Sequence, residues 1–107
     1  MAFAPTPEPP YYAAIFTTKR SVDDTGYPEM AQRMFELAER QSGYLGFETA
    51  IGAGSGIAVS YWADEKSIGA WKQNAEHLEA QRLGQEHWYD AYVLRVAKVE
   101  RAYSYER

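Results

Sequence analysis

The chain has four apolar segments typical of strands and two segments in which apolar residues recur at helical spacing. The first segment, YYAAIFTTK at residues 11–19, is rich in aromatic and β-branched residues, which predicts a strand. Apolar side chains occupy both its odd and its even positions, as in strands that are covered on both faces. A domain of 107 residues has helices enough for one face of a sheet, so we expect a second subunit to cover the other.

A helix is predicted from Pro28, because proline suits a first helical turn and Glu29 after it complements the helix dipole. Apolar residues then recur at helical spacing, at Met30, Met34, Leu37 and Ala38. Gly43 follows the last turn and can adopt the left-handed conformation that ends many helices.

A hairpin is predicted after this helix. Residues 44–51 alternate, which indicates a second strand with one face formed by Leu45, Phe47, Thr49 and Ile51. The glycine-rich segment 52–56 is a hairpin loop rather than a phosphate-binding loop, because a strand follows it and the motif's lysine is missing. Residues 57–63 form the third strand.

A second helix is predicted from Asp64, whose carboxylate caps its start. If this helix is continuous, its apolar face consists of Ile68, Trp71, Ala75 and Leu78. The border of that face then carries Asn74, His77 and Gln81. Gly84 ends or bends the helix, and residues 89–105 form a final strand. Because that strand is too long for a four-stranded sheet, we expect its end to reach a neighbouring molecule.

The resulting order is β-α-β-β-α-β, the ferredoxin-like plan of an α+β fold. It predicts a four-stranded antiparallel sheet with both helices on one face. Residues 1–10 contain four of the five prolines, which favours a proline-rich N-terminal arm that leads into the first strand; a loose tail is the alternative. Residues 11–107 are expected to form a single domain.

Composition narrows the classes of function. Aromatic residues make up 15% of the chain, more ring surface than one small core can hide, which again favours a partner subunit. The net charge is −4 and the basic residues form no stripe, so neither nucleic acid nor an anionic membrane is an expected partner. The lack of cysteine excludes thiolate chemistry and fits a cytoplasmic location. No apolar run approaches the roughly 20 residues of a membrane span, and residues 1–10 lack the features of a secretory signal.

Four segments resemble the antibiotic biosynthesis monooxygenase superfamily, and most of all its branch related to heme-degrading monooxygenases. They are QSGYLGFET, GIAVSYWADEKSIGAW, NAEH and AQRLGQEHWYDAYVLRVAKVER, and the resemblance covers about residues 11–105. It implies a dimeric α+β barrel in which two sheets pack face to face, with a pocket in each subunit between the sheet and the helices. Members of the superfamily oxidise polycyclic aromatics or quinols with O2 and no cofactor, and others bind and open heme.

The heme-opening members use an asparagine on the first strand, a tryptophan on the second helix and a histidine ten residues after that tryptophan. By this resemblance Trp71 takes the tryptophan position, whereas Gln81 stands where the histidine would be. The first strand has no asparagine, and His77 could act as a heme ligand only from a shifted position. The expectation is therefore a protein without a cofactor, with heme as the alternative.

His77 is the candidate catalytic base, because an imidazole takes up a proton near neutral pH. In a dry aromatic pocket such a base can convert a phenol or quinol into the anion that gives an electron to O2. The alternative is a surface histidine bonded to Glu76 or Glu79. Trp71 would stack on a flat substrate and Asn74 would orient its oxygen, and the alternatives are core packing and helix capping.

Seven further residues are candidates for binding the substrate. They are Tyr12, Phe47, Tyr61, Trp62, Gln81, Trp88 and Tyr92, and packing or capping is the alternative for each. His87 is expected to face solvent. No carboxylate lies at a spacing from the two histidines that would complete a helical metal site, so no metal is expected.

The function that these residues favour is a cofactor-independent monooxygenase that oxidises a flat aromatic or quinol substrate with O2. It would work as a homodimer with one pocket per subunit. Two alternatives stay open: a heme-binding or heme-degrading protein, and a non-enzymatic dimeric module that binds a small apolar ligand.

Overall fold

A computed structural model describes residues 2–23 and 25–107, and only the backbone of Ala75. The strands are β1 (Tyr11–Arg20), β2 (Tyr44–Gly52), β3 (Ser55–Trp62) and β4 (Tyr89–Val99). The helices are α1 (Tyr27–Glu39), α2 (Glu65–Lys72) and α3 (Ala75–Leu83), and a π-helical turn at Gly84–Trp88 joins α3 to β4. None of the helices in the described part of the chain is long and apolar enough to cross a membrane.

The strands form one antiparallel sheet in the order β2-β3-β1-β4, which confirms the predicted ferredoxin-like α+β fold. β1 is a central strand, and Ala14 on it lies opposite both Ser60 of β3 and Val96 of β4. Ala14 on one face of β1 packs in the core under the helices, and Tyr11 and Ala13 at the start of the other face are buried as well, so apolar residues suit both faces there.

The core lies between the helices and one face of the sheet. Its buried residues are Ala14, Ala38, Trp62 and Ile68, and the half-buried residues Tyr12, Tyr44, Trp71 and Leu94 pack against them. Small side chains on β1 and α1 leave room for the indole of Trp62, which is fully buried. This aromatic layer is what the helices position above the sheet.

The other face of the sheet carries the N-terminal arm at one end. The backbone N–H of Ala4 donates to Oε2 of Glu48 at 2.8 Å, and the Tyr61 hydroxyl donates to Oε1 of the same carboxylate, also at 2.8 Å. Gly46 permits this approach, because a Cβ there would collide with Ala4. The arm is thus attached to the sheet by a carboxylate that bridges it to β3.

The far end of this helix-free face is open. Tyr11 and Ala13, near the arm, are 5% and 4% exposed, whereas Ile57 and Val93 are 48% and 46% exposed. Ile57 and Val93 both pair with Thr17 of β1, from opposite sides, so the three residues form one row across the sheet. The exposed row is the part of the face that the arm leaves uncovered.

The second helix is not continuous. α2 ends at Lys72, and Asn74 is extended (φ −63°, ψ 137°) before α3 begins. The Asn74 side chain accepts a hydrogen bond from the Glu76 N–H at 2.9 Å, so a local cap replaces the helical hydrogen bonds of this segment. The apolar face predicted for one long helix is therefore wrong beyond Trp71: Leu78 is 46% exposed, and the Ala75 side chain lies outside the described residues.

Three predicted boundaries also differ. The last strand ends at Val99 rather than residue 105, because its neighbour β1 begins at Tyr11, the partner of Val99; residues 100–107 are exposed. The hairpin turn is shorter than residues 52–56, since β2 runs to Gly52 and β3 starts at Ser55. A bulge between Tyr44 and Gly46 shifts the alternation of β2 and places Tyr44 opposite Trp62, on the helix-covered face.

Candidate functional site

Trp71 and His77 come from different helices and lie ring against ring. Their ring centroids are 4.3 Å apart with an interplanar angle of 54°. The break between α2 and α3 produces this contact, because Trp71 lies in the last turn of α2 and His77 in the first turn of α3. A continuous helix would hold residues six apart on different sides, at about 100° per residue.

The Trp71–His77 pair lies on the aromatic core. The Trp62 ring lies 5.3 Å from the Trp71 ring, tilted by 31°, and Tyr44 meets Trp62 edge-on at 5.7 Å. The Trp62 indole N–H donates to Oγ of Ser60 at 2.9 Å, so this buried ring is satisfied within the sheet. The pair therefore rests on a rigid, apolar floor.

Each ring of the Trp71–His77 pair has a nitrogen whose hydrogen-bonding capacity is not used. Nε1 of Trp71 and Nδ1 of His77 are both buried and have no hydrogen-bond partner in the described structure. A buried polar group without a partner costs about 1–3 kcal/mol, and native structures tolerate few of them outside functional sites. Two such atoms in adjacent rings make this position the candidate functional site of the described structure.

Burial lowers the pKa of His77 to about 4, and the nearby charge of Lys72 contributes in the same direction. The imidazole is therefore neutral at pH 7, with one nitrogen able to donate and the other able to accept. The two carboxylates named in the surface-histidine alternative pair with arginines in the structure. Glu76 pairs with Arg33 at 2.8 Å and Glu79 with Arg82 at 2.6 Å.

Asn74 caps α3 through its side-chain oxygen, as one of its two interpretations predicted. The cap fixes the start of the helix that carries His77. The donor role proposed for Asn74 toward a substrate oxygen would use its side-chain nitrogen, which the cap does not involve.

Two of the candidate binding residues lie in the aromatic layer with Trp71, and two others lie farther along the same side of the molecule. Trp62 and Tyr12 belong to the aromatic layer itself, and Gln81 is half-buried one turn after His77 on α3. Tyr92 packs at 5.3 Å against Phe16, and its hydroxyl accepts from the Gln85 amide at 2.8 Å.

The structure does not bring the other three candidates to the pair. Phe47 packs edge-on against Phe35 of α1 at 5.0 Å. Tyr61 lies on the helix-free face, where burial and its hydrogen bond to Glu48 raise the pKa of the phenol to about 12. Trp88 is buried at the corner before β4, and its indole N–H donates to the Thr25 carbonyl at 3.0 Å.

Sequence reasoning missed three neighbours of the pair. Tyr44 and Leu94 pack on the aromatic layer from β2 and β4, and Lys72 adds a positive charge beside His77. Only Lys72 could have been found from the sequence, because it follows Trp71 directly. Tyr44 is brought in by the bulge in β2, which leaves no clear pattern.

Open depressions on the described surface lie elsewhere. One of about 550 Å³ is bounded by residues 21–23, Thr25, Leu83 and residues 86–88, and one of about 670 Å³ follows the start of α1. Neither is lined by Trp71 or His77. Among the described residues, no group of three or more histidine, aspartate or glutamate side chains is arranged to hold a metal ion.

Comparison with solved structures identifies the fold. SnoaB from Streptomyces nogalater, a cofactor-independent oxygenase, has a TM-score of 0.75 at 8% identity and covers 88% of this chain and 97% of its own. Rv0793 from Mycobacterium tuberculosis has a TM-score of 0.77 at 11% identity, with coverage of 88% and 99%. A Nitrosomonas europaea protein provisionally assigned as an antibiotic biosynthesis monooxygenase has a TM-score of 0.74 at 16% identity, with coverage of 83% and 89%.

The fold is thus the one that these solved structures share, in agreement with the resemblance noted in the sequence. The heme-degrading branch stays a prediction. No family model matches the chain. The chain is 50% identical over 97 residues to YqjZ of Bacillus subtilis, an uncharacterized protein, and the match covers 90% of this chain and 85% of YqjZ. It belongs to the same family as YqjZ.

Proposed function

We propose that this protein is a cofactor-independent monooxygenase that oxidises a flat, electron-rich aromatic or quinol with O2. The observation that carries the proposal is the Trp71–His77 pair, which presents two buried, unpaired nitrogens on an aromatic floor. The similarity of the fold to SnoaB supports the reaction class.

In this proposal the substrate ring stacks on Trp71 and its hydroxyl bonds to His77. The hydroxyl proton moves to the imidazole, and the resulting anion gives one electron to O2. The substrate radical and superoxide then combine at a ring C–H carbon into a peroxide anion, which takes the proton back from the imidazolium. The resulting hydroperoxide loses water, whose second hydrogen comes from that carbon, and leaves a second carbonyl. One phenol and one O2 thus give one quinone and one water.

The low pKa of His77 restricts the substrate. A base with a pKa of about 4 is weak, so proton transfer depends on an acidic hydroxyl and on the developing anion, whose charge raises the imidazole pKa during the reaction. We therefore expect turnover to rise with the acidity of the substrate hydroxyl. The acid limb of kcat/KM, which reports the free enzyme, should lie near pH 4.

Oxygen uptake with a panel of reduced naphthohydroquinones and anthrones tests the proposal. His77→Ala should abolish uptake, whereas His87→Ala, at an exposed histidine, should leave it unchanged and provides the matched control. Uptake that persists in His77→Ala would contradict the assigned base. Thermal stabilisation by the same compounds without uptake in the wild type would favour the ligand-binding module.

Heme does not fit the residues present. Gln81 occupies the position of the family's histidine, and a glutamine amide is a poor heme ligand. The helix-covered face of β1 offers Tyr12, Ala14 and Phe16, none of which can replace the missing asparagine. A hemin titration followed by absorbance should therefore show no saturable band that depends on His77.

We further propose that the working form is a homodimer, in which the helix-free faces pack together. The half-exposed Ile57 and Val93 on either side of Thr17 support this arrangement, because a row of that kind is better covered than left to water. Sedimentation of the wild type and of Val93→Lys measures the fractions of dimer and monomer. The substitution places a charge in the exposed row and should shift the dimer towards monomer.

A further inference from the structure

α3 contributes less to the core than α1 and α2, which bury Ala38 and Ile68. None of its described side chains is buried, and Leu78 is 46% exposed. Its main neighbours are α1, α2 and the π-helical turn that follows it. A helix with so little buried apolar surface belongs to the part of a protein that opens at low free-energy cost.

Both ends of α3 interrupt regular helical hydrogen bonding. At its start, Asn74 is extended between Gln73, which ends α2, and the first turn of α3. At its end, the helix passes into the π-helical turn, whose Gly84 is buried so closely against Tyr89 that a Cβ would collide with the ring. Short irregular segments of this kind are where hinge motions are absorbed.

One ion pair joins α3 to a different helix. Arg33 of α1 donates through Nε to Oε2 of Glu76 at 2.8 Å, and Glu76 directly precedes His77 in the chain. The other ion pairs of α3 among the described residues stay local, since Arg82 binds Glu79 within the helix and Glu86 in the following turn. The Arg33–Glu76 pair thus acts between elements, and the others do not.

We propose that α3 is a lid that carries His77 over Trp71, and that the Arg33–Glu76 ion pair is the latch that holds it closed. The site beneath the lid is the one assigned above, so the purpose of the lid rests on the proposed function. The geometry explains how a ligand reaches a buried pair that lines neither of the open depressions. Opening the lid lifts His77 away from Trp71 and leaves the floor of Trp62 in place.

The three indole N–H groups provide a direct test, because only that of Trp71 is buried without a bond. Those of Trp62 and Trp88 donate to Ser60 and Thr25 and act as internal references. Hydrogen exchange of the three protons, followed by NMR at low salt, reports opening without any ligand or substrate. In the wild type the Trp71 proton should exchange well before the amides of β1 and β3.

The latch variant is Arg33→Gln, at an exposed position where folding is not at risk. It should speed exchange of the Trp71 indole and the α3 amides about two- to five-fold, the factor that corresponds to an exposed ion pair. Arg33→Lys should restore most of the protection. Salt at about 1 M should speed exchange in the wild type and not in Arg33→Gln, because it screens the same pair.

Glu79→Gln is the matched control, since it removes an exposed ion pair of α3 that joins no other helix. Equal acceleration by Glu79→Gln and Arg33→Gln would overturn the latch. Exchange of the Trp71 proton only at the rate of the β1 amides would overturn the lid. Neither result depends on turnover, so a failed oxygen-uptake assay with these exchange rates as expected would reject the proposed function alone.

Discussion

The depressed pKa of His77 makes the stability of the fold depend on pH in a way that one substitution should remove. The unfolded chain holds this histidine with its ordinary pKa of 6.5, whereas burial in the folded protein lowers the pKa to about 4. Between these values the unfolded state binds more protons than the folded state, so the free energy of unfolding must fall as the pH is lowered. The contribution is absent above pH 6.5 and complete below pH 4.

The magnitude follows from the two pKa values. At pH 5 the linkage relation gives a loss of about 2 kcal/mol relative to pH 7.5. Because His77 is half-buried and water can screen part of the effect, we expect about 1–2 kcal/mol. For a domain of this size that corresponds to roughly 4–16 °C in Tm.

The assay is urea unfolding of the wild type and His77→Leu at pH 7.5 and pH 5, at one fixed protein concentration. The wild type should lose about 1–2 kcal/mol more than His77→Leu between the two pH values. At pH 7.5 the leucine variant should be the more stable by about 1 kcal/mol, since it removes a buried, unbonded nitrogen. His87→Leu, changed at the exposed histidine, should follow the wild type. An equal loss in the wild type and His77→Leu would show that His77 is not buried as a neutral imidazole, and would refute the reasoning.

Two further predictions concern the turns that shape the site. Asn74→Ala should lower the free energy of unfolding by about 0.5–2 kcal/mol, because it removes the side-chain cap of α3. Gln73→Ala, at the exposed neighbouring residue, should leave the free energy of unfolding unchanged. Chemical denaturation of both variants measures the difference. Gly43→Ala should cost at least 1–2 kcal/mol by a rough estimate, because Gly43 has φ 86° and an added Cβ would collide with Ser67. Gly69→Ala, in open space on α2, should instead raise Tm slightly, and a gain at Gly43 would contradict the assigned turn.

Much of the fold follows from pattern alone. The aromatic and β-branched stretch at residues 11–19 predicted a strand, which the structure has as β1. Asp64 was correctly placed as the cap of α2, where it accepts from the Ser67 N–H at 2.7 Å. These features are local, or follow directly from alternation, which is why the sequence reveals them.

The predicted boundaries are wrong where a short polar contact or the length of a neighbouring strand determines where an element ends. Helical spacing predicted one helix through Asn74, but the side-chain cap of Asn74 ends the first segment and starts the second. The final strand was extended to residue 105 because its alternation continues, yet a strand ends where its neighbour ends, and β1 offers no partner beyond Tyr11.

The sequence revealed only part of the candidate site, because helix breaks and strand register also determine which residues meet there. The sequence grouped Trp71, His77 and Asn74 on the basis of a continuous helix, and the break brings the two rings together by a different route. Tyr61 and Trp88 are aromatic residues near the predicted second helix. Tyr61 lies on the opposite face of the sheet, however, and Trp88 is buried before β4, where it bonds to Thr25. Which face a residue occupies depends on strand register, which composition does not reveal.

The central claim is that the unpaired nitrogens of Trp71 and His77 form the ligand site. The most direct measurement is an anaerobic NMR titration of the protein with a reduced naphthohydroquinone, which follows the three indole N–H signals and the histidine ring signals. The account predicts saturable shifts of Trp71 and His77, with the Trp62 and Trp88 indole signals and the His87 ring nearly unchanged. Saturable shifts at Trp88 and His87 alone, or no saturable shift at Trp71, would contradict it.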